Sequence, residues 1–159
     1  MRDGELERLR DRGVTGITSN PTIFQKAVAG SGDYQDSLRD LVARGDTPEE
    51  ILWDLMIEDV VSAADTFRPV FERGGGRDGF VSIEVSPTVA HSTGETVAMA
   101  RDLHRRCNRP NVMVKLPATP EGVATIEHMV TEGANQPLTG TVSVRGHEAG
   151  GETLLTGPV

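Results

Sequence analysis

Apolar and polar residues follow each other along this chain in two rhythms. A period of two marks VTGIT (14–18), FVSIEV (80–85) and VMVKL (112–116) as strands. The stretches between them follow the helical period. Residues 4–12 predict a short helix stopped by Gly13. Ser19-Asn20-Pro21 ends the first strand, and Pro21 suits the first turn of a helix to about Ala29. Residues 33–44 set Tyr34, Leu38, Leu41 and Val42 on one face, with Gly45 behind them. Thr47-Pro48-Glu49-Glu50 is a capping-box pattern opening a long helical region to about Glu72, with breaks expected near Ile57 and at Pro69. Leu52, Trp53, Leu55 and Met56 are expected core positions in it. GGGRDG (74–79) predicts a loop. Ser92-x-x-Glu95 is a second capping-box pattern, starting a helix to about Cys107, and Thr119-Pro120 starts another that ends at Gly133.

Strands that alternate with helices imply a parallel sheet with helical crossovers, whose strands are covered on both faces. The pattern leaves open whether the sheet is flat or closes into a barrel. Beyond Gly133 the rhythm weakens: the last 27 residues hold six glycines and two prolines, and only LTGTVSV (138–144) suggests a fourth strand.

Composition narrows the picture. The 159 residues suffice for one domain with a core. Lys and Arg total 16 against 24 Asp and Glu, a formal charge of −8, which argues against a broad nucleic-acid or anionic-lipid surface. Cys107 is the single cysteine, so no disulfide forms within the chain and thiols cannot build a zinc site. The start, MRDGELERLRDR, has no apolar h-region, and no run reaches the length of a membrane span. A reduced, cytoplasmic location without metal is the expectation.

Side chains of a strand point alternately to opposite faces. Val81, Ile83 and Val85 share one face, and Phe80, Ser82 and Glu84 the other. Val112, Val114 and Leu116 oppose Met113 and Lys115. Gly16, Thr18 and Asn20 share a face. Each strand thus turns polar toward its carboxyl end, where parallel α/β architectures place their sites. Thr18, Asn20, Glu84 and Lys115 form the candidate cluster. A lysine in a covered strand needs a partner or a task, because desolvation favours its neutral amine. Such an amine attacks a carbonyl to give a Schiff base, and a nearby carboxylate shuttles protons. A plain ion pair at the sheet rim fits the same two residues.

Weaker signals resolve toward structure. Gly74-x-Gly76-x-x-Gly79 precedes its strand, the wrong context for a dinucleotide fingerprint, and reads as a loop. His104 and Cys107 lie three apart on a helix without further ligands, which favours a packed thiol beside a surface histidine. His91 is expected to be solvated.

GVTGITSNPTIFQKA, DGFVSIEVSP and RPNVMVKLPATPEG resemble bacterial transaldolases, including the form fused to a sugar-phosphate isomerase. The resemblance runs from about Gly4 to Gly133 and is specific through SNPTIF, SIEVSP and VMVKLPAT taken together. It implies a (β/α)8 TIM barrel, here partial, lacking the first strand and the C-terminal half. Residues 1–133 would be the barrel-like part and 134–159 a degenerate, poorly ordered continuation. It also implies transfer of a dihydroxyacetone unit from sedoheptulose 7-phosphate or fructose 6-phosphate to an aldose phosphate, in the pentose phosphate pathway, with no cofactor. By position, Lys115 matches the Schiff-base lysine, and Glu84 the glutamate that handles imine protons through a water. Asn20 and Thr18 match substrate-binding positions.

The departures lie at both ends. The family's first-strand aspartate, a general acid/base, has no counterpart. Around the fifth strand Thr139 and Ser143 match, and Thr139 is carried over as catalytic. There Pro137 replaces an active-site asparagine and removes a ladder donor. The resemblance therefore implies weak or absent turnover by this chain. The rival readings are a non-catalytic remnant that associates with other chains, and another lysine-dependent aldolase.

Overall fold

The structure is a computed structural model and describes residues 4–19, 21–30 and 32–132. Its three strands are β1 (Gly16–Thr18), β2 (Phe80–Glu84) and β3 (Val112–Lys115), joined in the order β1-β2-β3. Both pairings are parallel, as the alternating pattern requires. The helices are α1 (Glu5–Asp11), α2 (Pro21–Gly30), α3 (Gln35–Arg44), α4 (Pro48–Arg73), α5 (Thr93–Cys107) and α6 (Pro120–Glu132). Short 3₁₀ turns at Gly32–Tyr34 and Pro87–Val89 complete the order. The suggested strand at 138–144 lies outside the described residues.

The long helix forms where the pattern places it, and its start carries the predicted cap. Thr47 Oγ1 accepts from the Glu50 amide at 3.3 Å, while Glu50 Oε2 accepts from the Thr47 amide at 2.8 Å. The expected breaks do not occur: α4 runs unbroken for 26 residues through Ile57 and Pro69. Ile57 is buried in the core and supports the helix instead of ending it. Pro69 withholds a donor and costs about 3 kcal/mol in a helix interior. Burial of Phe67 and packing of Val70 on either side of it offset that cost.

Met56, Val60, Ala63, Ala64 and Phe67 recur at helical spacing and line the buried stripe of α4. Of the four expected core residues there, Leu55 and Met56 are buried, and Leu52 and Trp53 pack partly against the core. The stripe meets the apolar sheet face, on which Val81, Ile83, Val112 and Val114 are buried. Leu103, Ala100 and Cys107 of α5 extend the same core. Tyr34 closes it near α2, edge-on to Phe24 at 5.7 Å, and its hydroxyl donates to Asp59 Oδ2 at 2.6 Å.

Two connections fix how the sheet is entered and left. The glycine-rich segment after α4 is a turn leading into β2, not a phosphate loop. Gly79 holds φ +81°, and a Cβ there would stand 2.3 Å from the Phe71 amide nitrogen, so only glycine fits. Beside it, the fully buried Asn111 donates through Nδ2 to the carbonyls of Ala64 (2.8 Å) and Gly79 (2.9 Å). One amide thereby ties α4, the entry to β2 and the entry to β3. After β3, Gly122 lets the first turn of α6 close on Pro117, whose carbonyl oxygen would lie 1.8 Å from an added Cβ.

Candidate active site

The strand faces separate as their period predicts. In β2 and β3 the buried positions alternate with half-buried ones. Among the described residues, the cover expected on both faces is found on one. The helices seal the valine-rich face. Phe80, Ser82, Glu84, Met113 and Lys115 occupy the other, which stays half open. In a closed barrel that inner face is covered by the strands opposite. Among the described residues the sheet has three strands, in the order β1-β2-β3.

Register brings the chemistry together. Glu84 and Lys115 are level on neighbouring strands, and Lys115 Nζ lies 3.5 Å from Glu84 Oε2. The lysine side chain keeps 19 % of its exposure and the glutamate 37 %, so the dry setting anticipated for the amine is realised only in part. One pleat back, Ser82 is level with Thr18, and Ser82 Oγ donates to Thr18 Oγ1 at 3.0 Å. The alternation had put Ser82 on this face, but its link to Thr18 needed the register of two strands 64 residues apart in sequence. Asn20 and Thr139 lie outside the described residues.

The remaining candidates fall where structure alone explains them. Cys107 is buried, and burial pushes its thiol up to about 11, an inert state. His104, expected at the surface, is instead half-buried, with Nε2 sealed from solvent. Among the described residues no three His, Cys, Asp or Glu side chains gather as a metal site. His91 is exposed, with Nδ1 3.7 Å from Glu121 Oε2. No helix among the described residues is long and apolar enough to cross a membrane.

An amine and a carboxylate paired at the carboxyl ends of parallel strands can run imine chemistry. The family described as Transaldolase/Fructose-6-phosphate aldolase matches residues 3–149. The chain belongs to that family. The transaldolase of Acidothermus cellulolyticus is 48 % identical over 149 residues, covering 93 % of this chain and 40 % of that protein. The transaldolase of Thermobifida fusca is 43 % identical over 158 residues, covering 99 % of this chain and 43 % of that protein. That of Saccharopolyspora erythraea is 42 % identical over 151 residues, with 95 % and 41 % covered. The chain thus spans about two fifths of the length of these relatives. The family match continues past Gly133, where the resemblance read from the sequence ends. The family's (β/α)8 barrel accounts for the architecture: adjacent parallel strands, helices on one face and polar side chains on the other.

Proposed function

We propose that this chain carries the imine-forming part of a transaldolase. The donor is a ketose phosphate, fructose 6-phosphate or sedoheptulose 7-phosphate, and the acceptor an aldose phosphate. The reaction belongs to the pentose phosphate pathway in the cytoplasm. Residues 1–133 are the barrel-like unit, and 134–159 continue it. The observation that carries this reading is the 3.5 Å approach of Lys115 Nζ to Glu84 Oε2 on the face turned from the helices.

The amine of Lys115 adds to the ketose carbonyl, and the carbinolamine loses water to give an iminium. Glu84, through a water, takes and returns the protons of these steps. The donor's C4 hydroxyl then loses its proton, and the C3–C4 bond breaks. Its electron pair moves to the iminium, leaving a three-carbon enamine on Lys115 and releasing an aldose phosphate. The enamine attacks the aldehyde of the acceptor, and hydrolysis frees Lys115. Thr18 and Asn20 bind the three-carbon unit, and Thr139 is a further catalytic residue by its match to the family.

Glu84 is the one carboxylate on the three described strands, and none of them carries an arginine. They supply neither a separate base for the C4 hydroxyl nor a guanidinium for the phosphate. Imine formation is therefore the step these three strands are expected to support. Borohydride reduction in the presence of fructose 6-phosphate, followed by peptide mass mapping, tests the proposal. The expected result is a reduced adduct on Lys115. A folded protein that acquires none would reduce the Glu84–Lys115 contact to a structural ion pair.

A further inference from the structure

We infer that Thr119 is a positioning residue, which clamps together the two loops that follow the Glu84 and Lys115 strands. The inference rests on the imine chemistry proposed above for its consequence, and on hydrogen bonds for its geometry. Glu84 and Lys115 are the last paired residues of β2 and β3. Beyond them the ladder holds by the Val85 amide donating to the Lys115 carbonyl at 3.2 Å. At the opposite end of the same pair, the Val81 amide reaches the Asn111 carbonyl at 2.9 Å. The lower end is thus pinned by the buried Asn111. The upper end, where the chemistry stands, depends on the segments that leave it, because strand ends open more readily than strand centres.

Those segments are stitched by threonine hydroxyls. Thr119 Oγ1 donates to the Ala90 carbonyl at 2.6 Å, in the loop after β2. The same oxygen accepts from the Gly122 amide at 3.1 Å and caps α6. Thr93 Oγ1, at the start of α5, donates to the Glu121 carbonyl at 3.2 Å and crosses the same gap in the other direction. Thr96 Oγ1 shares its proton between the Val89 carbonyl at 2.7 Å, in the loop after β2, and the Ser92 carbonyl at 2.8 Å. Thr119 is the only one of the three that sits on the loop leaving Lys115. Its single hydroxyl proton is committed to Ala90, so the cap and the clamp are separable by substitution.

Three variants separate them. Thr119→Ser keeps donor and acceptor. Thr119→Asp keeps an acceptor for Gly122 but, ionised at neutral pH, has no donor for Ala90. Thr119→Val keeps the shape and has neither. Amide hydrogen exchange by NMR reads the two strand ends in the full chain. The expected result is Val85 exchange accelerated about tenfold in the Asp and Val variants, the scale of one lost hydrogen bond. Val81 exchange stays unchanged, and the Ser variant matches the parent. Borohydride trapping on Lys115 slows in the same two variants and recovers in the Ser variant. If Thr119→Val does not fold, Thr93→Val tests the clamp from the α5 side with the same readouts.

An Asp variant with parental Val85 exchange would overturn the inference, since the helix cap alone would then suffice. So would equal acceleration at Val81 and Val85, which marks general loosening. A parent chain that forms no adduct counts against the proposed function, and the exchange pattern still decides the role of Thr119.

Discussion

Glu84 and Lys115 stand level on adjacent parallel strands, and Lys115 Nζ approaches Glu84 Oε2 to 3.5 Å on the sheet face turned away from the helices. Neither residue is near the other in sequence. Their meeting is a product of register, and register is held at one end by Asn111 and at the other by the loops beyond the strands.

Lys115→Arg separates chemistry from pairing. Arginine keeps a cation opposite Glu84 but forms no imine. The trapped adduct is expected to vanish, while the urea midpoint changes by less than about 1 kcal/mol equivalent, the ordinary worth of a partly exposed pair. Intact-mass analysis after reduction, alongside urea unfolding, checks both halves.

Asn111→Ala removes two donors that serve the carbonyls of Ala64 and Gly79 in a fully buried place. A loss of about 2–3 kcal/mol of stability is expected, from desolvated carbonyls left unpaired. Urea denaturation followed by circular dichroism measures it. A change below about 0.5 kcal/mol would show that the strand entries are held by packing alone.

Asp65 receives two bonds from Arg109, Nε at 2.6 Å and Nη2 at 3.0 Å, joining α4 to the segment before β3. Hydrogen bonding to Arg109 holds the Asp65 carboxyl below the usual aspartate value. A group lowered in the folded state stabilises fully above its unfolded value of about 3.9 and loses that contribution as pH falls through the folded value. The parent is therefore expected to lose more stability between pH 5 and pH 3 than Asp65→Asn. Because the aspartate side chain is 53 % exposed, solvent screening keeps the difference small. Urea midpoints at about pH 5 and 3 for both proteins compare the losses, and parallel losses would refute the assignment.

Cys107 offers a probe of core integrity. Its thiol is buried on α5 and pushed up to about 11 by that burial. At pH 8 the folded chain should react with an aromatic disulfide reagent far more slowly than the urea-unfolded chain. The sign also follows: a thiol raised in the folded state stabilises below its unfolded value of about 8.5 and loses this contribution as pH rises toward the folded value. Fast labelling of the native chain would indicate an open α5–sheet interface.

Much of the fold was legible because its signals are local. The capping box at Thr47–Glu50 and the Gly45 stop act within a few residues and form as read, and Ser92 caps α5 by accepting from the Glu95 amide, one half of the box expected there. Pro69 was misread because a local breaker was overridden by distant contacts: Phe67 and Val70 pack on the core, and the helix carries through. Covering on both sheet faces was expected for Lys115 and found on one, since cover for an inner barrel face comes from strands across the barrel rather than from neighbours in the chain.

The amino-acid sequence by itself determined which elements form, which strand face is apolar, and that Thr18, Glu84 and Lys115 share the polar one. A side-chain period of two suffices for that, because it depends only on backbone geometry. Tertiary structure alone decided that Glu84 is level with Lys115 and Ser82 with Thr18, that Asn111 pins both strand entries, and that Thr119 reaches Ala90. These are distances between segments tens of residues apart. They follow from how α4 and α5 pack on the sheet, which no local pattern encodes.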